Sequence, residues 1–98
     1  MFGATVGRVA SRINNGRFEL DSKSVQLPRN EGNKHHLHGG FRGFSHKFWS
    51  SRSIPDGVEF SLHSPDGDQG YPGSIITTVS YTLVQNDAAG ANKADLKI

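Results

Sequence analysis

Three imidazoles stand within four residues in His35-His36-Leu37-His38, and Gly39-Gly40 follow at once. Histidine is the side chain whose unperturbed pKa lies nearest neutrality, so the stretch suits proton transfer, contact with a polar ligand, or metal binding. The glycines have no Cβ, which lets the backbone turn sharply or approach a ligand closely. In an extended segment His36 and His38 would share one face, a spacing that could hold a transition metal. A metal site of the cupin type would also need a carboxylate a few residues on, where this chain has Arg42. The plainest reading of the same residues is a group of histidines on a surface loop.

Two further groups could do chemistry. Arg8 and Arg12 lie four apart, and a guanidinium offers five donors in a rigid fork that suits ligand hydroxyls. Phosphate would also fit, but no glycine-rich phosphate loop precedes a helix. Asp66-Gly67-Asp68 is similar to the start of a calcium loop, yet the further oxygen ligands and the closing glutamate are missing. That segment reads as a tight turn with solvated carboxylates. A G-x-S-x-G elbow and cysteine are both absent, which removes the commonest nucleophiles.

The elements that must position these residues are mostly strands. Val6, Val9, Ala10 and Ile13 recur at helical spacing, enough for two turns at most, and such a helix would project Arg8 and Arg12 from one side. Phe18-Glu19-Leu20 and Val25-Gln26-Leu27 alternate around Asp21–Ser24, the pattern of a short hairpin that Pro28 ends. The polar stretch from Arg29 to Lys34 is a loop that delivers the histidines. Phe41-Arg42-Gly43-Phe44 reads as a loop pinned by its two rings, and Lys47-Phe48-Trp49-Ser50 as the start of a strand. Pro55-Asp56-Gly57 is a turn, and Val58, Phe60 and Leu62 alternate toward a core. Residues 64–73 form a loop dense in turn formers. Ser74 to Val84 is the clearest strand, with β-branched residues on both faces as expected of a strand covered on both sides. Gln85 to Lys93 reads as an exposed connection, and Asp95-Leu96-Lys97-Ile98 as a strand too short to pair properly. The expected class is mainly β and antiparallel.

Ninety-eight residues fit one domain with a single core. Eleven Lys and Arg against nine Asp and Glu leave a net charge of +2, scattered with no run of five, so nothing points to nucleic acid. Met1-Phe2-Gly3-Ala4-Thr5 lacks the charged start and apolar core expected of a signal peptide, and no apolar run in residues 1–98 approaches membrane length. The lack of cysteine fits a reducing compartment, and a soluble cytoplasmic protein is expected.

The ordered motifs then resemble one family. Phe2-Gly3-Ala4-Thr5-Val6-Gly7-Arg8-Val9-Ala10-Ser11-Arg12-Ile13, Asn15-Gly16-Arg17-Phe18, Leu27-Pro28, Asn30-Glu31-Gly32, Leu37-His38-Gly39-Gly40, Gly43-Phe44 and Trp49 are similar to aldose 1-epimerases (galactose mutarotases). So are Ser64–Gly73 and Val79-Ser80-Tyr81-Thr82-Leu83. The resemblance covers nearly the whole chain. It implies a partial antiparallel β-sandwich of the galactose mutarotase type, and interconversion of the α and β anomers of free aldoses without cofactor or metal. It implies that Arg12 hydrogen-bonds sugar hydroxyls and that His38 is an active-site histidine contacting the sugar near its ring oxygen. Arg8 is expected to be structural, with His35 and His36 as bystanders. Ser11 stands where the family usually has a sugar-facing asparagine, so a direct contact there is expected to pass through water.

In the family a second histidine acting as the acid, a sugar-binding aspartate and a glutamate acting as the base lie downstream of these motifs. The expectation is therefore that residues 1–98 form a single incomplete domain, a fragment of a longer enzyme with little activity alone. A non-catalytic carbohydrate-binding fragment and a non-functional truncation product are the alternatives, and a related enzyme acting on hexose 6-phosphates is a weaker one, since this chain shows no extra basic cluster for the phosphate. The expected partner is a small-molecule aldose, with no nucleic acid or membrane, and self-association through open sheet edges.

Overall fold

A computed structural model describes residues 2–85 and 94–98. The described residues form two compact units, one running to Lys47 and including Pro65–Ser74, the other comprising Phe48–Ser64 and the described residues from Ile75 onward. Every named strand pair is antiparallel. Among the described residues there is no α-helix, and none of the helical turns is long and apolar enough to cross a membrane.

The first unit holds two short ladders. Strand β1 (Arg12–Ile13) pairs with β4 (His36–Leu37), and β2 (Arg17–Leu20) with β3 (Lys23–Gln26). The expected helix over Val6–Ile13 does not form. Two turns cannot meet the cost of helix nucleation unless they pack well, and here Arg12 and Ile13 take extended partners in Leu37 and His36 instead. The β2–β3 hairpin is tighter than expected: Asp21 and Ser22 alone make the turn, at φ 50° and 63°. Positive φ at both central residues matches the twist of the flanking strands. The core is Leu27, Phe44 and Tyr71 with a fully buried His36. Of the two rings expected to pin the loop after the histidines, only Phe44 does so; Phe41 is 63% exposed.

The second unit is a four-stranded sheet in the order β5 (Ser50–Ile54), β6 (Gly57–Ser64), β7 (Ile75–Gln85), β8 (Ala94–Lys97). Pro55 and Asp56 link β5 to β6, and Asp56 takes φ 59°. The register sets Val58 against Tyr81, Phe60 against Val79 and Leu62 against Thr77 on one face. Phe60 meets Tyr81 edge-on at 5.8 Å. Glu59, Ser61, Ser80 and Thr78 occupy the other face, where Arg52 donates to Glu59 at 2.6 Å. The expectation that β7 is covered on both faces is therefore corrected. Threonine is β-branched like valine but carries a hydroxyl, which Thr78 shares with Ser61 at 3.4 Å, and Ile76 on that face is 75% exposed. The last strand also differs from expectation: Ala94–Lys97 pairs with Thr82–Gln85 over four residues. Of the connection expected over Gln85–Lys93, Gln85 instead ends β7 and pairs with Ala94, and residues 86–93 lie outside the described residues.

Candidate functional site

The β1–β4 ladder brings the sequence-identified residues together. Arg12 lies opposite Leu37, so Ser11 and His38 meet just beyond the ladder. The His38 backbone N–H donates to the Ser11 carbonyl at 3.0 Å, and the Ser11 N–H donates to His38 Nδ1 at 3.1 Å. Both residues take left-handed backbone, Ser11 at φ 62° and His38 at φ 51°. Such non-glycine conformations cluster at ligand sites, where surrounding contacts hold them. With Nδ1 accepting a hydrogen bond, the neutral ring carries its proton on Nε2. Nε2 is then a donor with no protein partner among the described residues. Asn30 fixes the approach to this point. Its side-chain amide accepts from Leu37 N–H and donates to Leu37 C=O, both at 2.8 Å, standing in for a neighbouring strand.

Arg12 is exposed and paired with Glu31 in a bidentate contact, Nε to Oε1 and Nη2 to Oε2, the second at 2.6 Å. Hydrogen bonding from Arg12 pulls the Glu31 carboxyl below its ordinary value; partial burial opposes this, the charge of Arg12 adds to the lowering, and His35 and His38 add to it when protonated. The same bond raises the Arg12 guanidinium. Glu31 thus sits within electrostatic reach of His38. No local periodicity links residues 12 and 31, and the polar loop around Glu31 carries no sign in sequence of the partner it takes.

The other histidines do different work. His36 Nδ1 donates to the Pro28 carbonyl at 2.8 Å, since a carbonyl can only accept. In the neutral ring Nε2 then accepts from the Tyr71 hydroxyl at 2.7 Å, with the rings edge-on at 5.4 Å. Both ring nitrogens are occupied, so His36 and His38 do not form a metal-binding pair. His36 is a core histidine rather than a surface one. His35 Nδ1 accepts from the Asn15 N–H at 3.0 Å.

Arg8 is a clamp. It donates to the carbonyls of Pro65, Pro72 and Gly73 at 3.0, 3.1 and 2.7 Å, and its guanidinium lies 5.8 Å from the Tyr71 ring centre. Burial pushes the Tyr71 phenol above its ordinary value, against a smaller lowering by the Arg8 charge. The acidic turn is not solvated as expected. Asp66 accepts from the Gly73 N–H at 2.5 Å and Asp68 pairs with Lys47 at 2.9 Å. Gly39 and Gly40 are needed for packing. A Cβ on Gly39, at φ 83°, would strike the Gly7 carbonyl oxygen, and one on Gly40 would strike the Gln69 side chain.

The model of the aldose 1-epimerase family matches residues 1–91. The galactose mutarotase of Rattus norvegicus is 52% identical over 82 residues, covering 84% of this chain and 24% of the relative. The aldose 1-epimerase of Haemophilus influenzae is 47% identical over 87 residues, covering 88% of this chain and 25% of the relative. Among solved structures, an aldose epimerase homologue from C. elegans superposes with a TM-score of 0.72 at 39% identity, over 80% of this chain and 24% of that one. The chain spans about a quarter of the length of these relatives. The fold expected from the motifs, mainly β with antiparallel sheets of the galactose mutarotase type, is the fold these comparisons show. With a family model matched along most of its length and relatives near half identity, this chain belongs to the aldose 1-epimerase family.

Proposed function

We propose that this chain carries part of the sugar-binding site of an aldose 1-epimerase acting on a free aldose such as glucose or galactose. The single observation that supports it best is the junction of Ser11, Arg12 and His38, three residues that the ladder of β1 and β4 gathers from two distant motifs. His38 offers Nε2–H as a donor toward the ring oxygen. Arg12 offers guanidinium hydrogens to hydroxyls, and the exposed Ser11 hydroxyl reaches the sugar through a bridging water.

In the reaction a base removes the proton of the anomeric hydroxyl while an acid protonates the ring oxygen. The bond from C1 to the ring oxygen breaks, C1 becomes an aldehyde, and rotation about C1–C2 allows closure on the other face. Atoms and charge balance without cofactor or metal. Each positioned proton transfer contributes about 10²–10⁴-fold. His38 and Arg12 orient a sugar, but they do not supply both an acid and a base. The 98-residue chain by itself therefore binds aldose and does not turn it over.

Polarimetry on fresh α-D-glucose or α-D-galactose tests this. The expected mutarotation with the isolated chain is no faster than in buffer, while NMR resonances of His38 and Arg12 shift on addition of millimolar sugar. Robust catalysis would overturn the division of labour, and unmoved resonances would overturn the binding site. A cytoplasmic location belongs to the same proposal, supported by the absence of cysteine.

A further inference from the structure

We propose that Glu31 is a positioning residue for ligand binding: its carboxylate grips the Nε and Nη2 side of the Arg12 guanidinium and presents the Nη1–Nη2 end to two neighbouring hydroxyls of a pyranose. The proposal rests on the sugar-binding reading above and adds a residue to it.

The geometry divides the guanidinium into a used edge and an open one. Glu31 takes Nε–H and one hydrogen of Nη2. Of the five hydrogens on the fork, both on Nη1 and the second on Nη2 remain, and they have no protein partner among the described residues. Two parallel N–H groups at that end match two adjacent hydroxyl oxygens.

The grip is itself rooted. Glu31 forms an antiparallel bridge with His35: its N–H donates to the His35 carbonyl at 3.0 Å, and its own carbonyl accepts from the N–H groups of His35 and Lys34, each at 3.1 Å. The neighbouring Asn30 clamps Leu37, the residue before His38. The carboxylate is therefore anchored on the loop that delivers His38, while Arg12 comes from β1. Glu31 ties the two ligand-facing side chains into one frame.

Stability does not account for this pair. Arg12 is 54% exposed and Glu31 30%, and ion pairs so open to water contribute little to folding. What the pair does achieve is order in a long, rotamer-rich side chain before any ligand arrives. Such preorganisation removes an entropic cost from binding.

The test is a titration of the ¹⁵N-labelled 98-residue chain with D-galactose, comparing wild type, Glu31→Gln and Glu31→Asp. The expected Kd rises by about tenfold in Glu31→Gln, as befits loss of one preorganised side chain. Glu31→Asp keeps the charge but falls short by one methylene, and its Kd is expected to lie between the two. The Arg12 Nε–H resonance, held by the carboxylate in the wild type, is expected to move to the position of a free arginine in Glu31→Gln. Because Arg12 is exposed and Glu31 only half-buried, the dispersed backbone spectrum should persist in every variant.

An unchanged Kd in Glu31→Gln with Arg12 Nε–H released overturns the proposal. Tighter binding also overturns it, since Glu31 would then compete with the ligand for Arg12. A wild-type chain that shows no response to galactose removes the sugar-binding reading and this inference together. A wild-type response that Glu31→Gln leaves intact removes the inference alone.

Discussion

Ser11 and His38 hold each other twice, through the His38 N–H to the Ser11 carbonyl at 3.0 Å and the Ser11 N–H to His38 Nδ1 at 3.1 Å. The second bond selects the imidazole tautomer, and the first fixes where the ring starts from. Both require left-handed backbone at residues that bear a Cβ. Side chain and backbone at the candidate site are therefore one unit, and substitutions at Ser11 report on His38.

Ser11→Asn is expected to stabilise the fold. Left-handed backbone costs an ordinary L-residue about 1–2 kcal/mol, and asparagine tolerates it better than serine because its short amide hydrogen-bonds locally. A gain of about 0.5 kcal/mol should appear as a higher urea midpoint at unchanged slope. A lower midpoint would mean that the Ser11 hydroxyl contributes more than its backbone strain.

Tyr71→Phe keeps the ring against Phe18 and His36 but removes the hydroxyl that His36 Nε2 accepts from. A buried nitrogen left without a partner costs about 1–3 kcal/mol. Urea unfolding at neutral pH should show that loss. A variant as stable as the wild type would show that water replaces the phenol.

Acid should weaken the ion pair between Arg12 and Glu31. The folded carboxyl is held below its ordinary value of 4.5, chiefly by hydrogen bonding from Arg12. A depressed folded pKa means that the contribution is complete above the unfolded value and is lost as pH falls through the folded one. Between neutral pH and the acid range below 4.5, Glu31→Gln should therefore lose less stability than the wild type. The groups that face Glu31 are Arg12, His35 and His38, so only the difference between the two proteins is read. Parallel curves would show that the pair forms in the unfolded chain as well.

Self-association is expected of the isolated chain. The four-stranded sheet has β5 and β8 at its edges, and unpaired edge strands template contact with other chains. Leu83 and Leu96, paired across β7 and β8, are each about three-fifths exposed and add an apolar patch. Sedimentation velocity should show species larger than a monomer. A single sedimenting monomer with cooperative unfolding would contradict it.

Much of the strand content was legible in the sequence, because alternation between apolar and polar residues follows directly from side chains pointing to opposite faces. Val58, Phe60 and Leu62 share the face that the period of two assigns them, and Pro55-Asp56-Gly57 turns where turn chemistry demands. The segment over Val6–Ile13 misled for the same kind of reason. Its apolar spacing satisfies a helical period, yet the partner that decides its conformation, His36-Leu37, lies more than twenty residues away.

By itself the sequence determined the family, the β class, and Ser11, Arg12 and His38 as candidates, because ordered motifs and residue types are local properties of the chain. Only the tertiary structure decided that Glu31 pairs with Arg12, that His36 is sealed between Pro28 and Tyr71, and that Arg8 clamps the carbonyls of Pro65, Pro72 and Gly73. Each of these depends on a hydrogen bond or ion pair between groups far apart in the chain. Such pairings carry no periodicity, since which donor meets which acceptor is set by how the backbone folds.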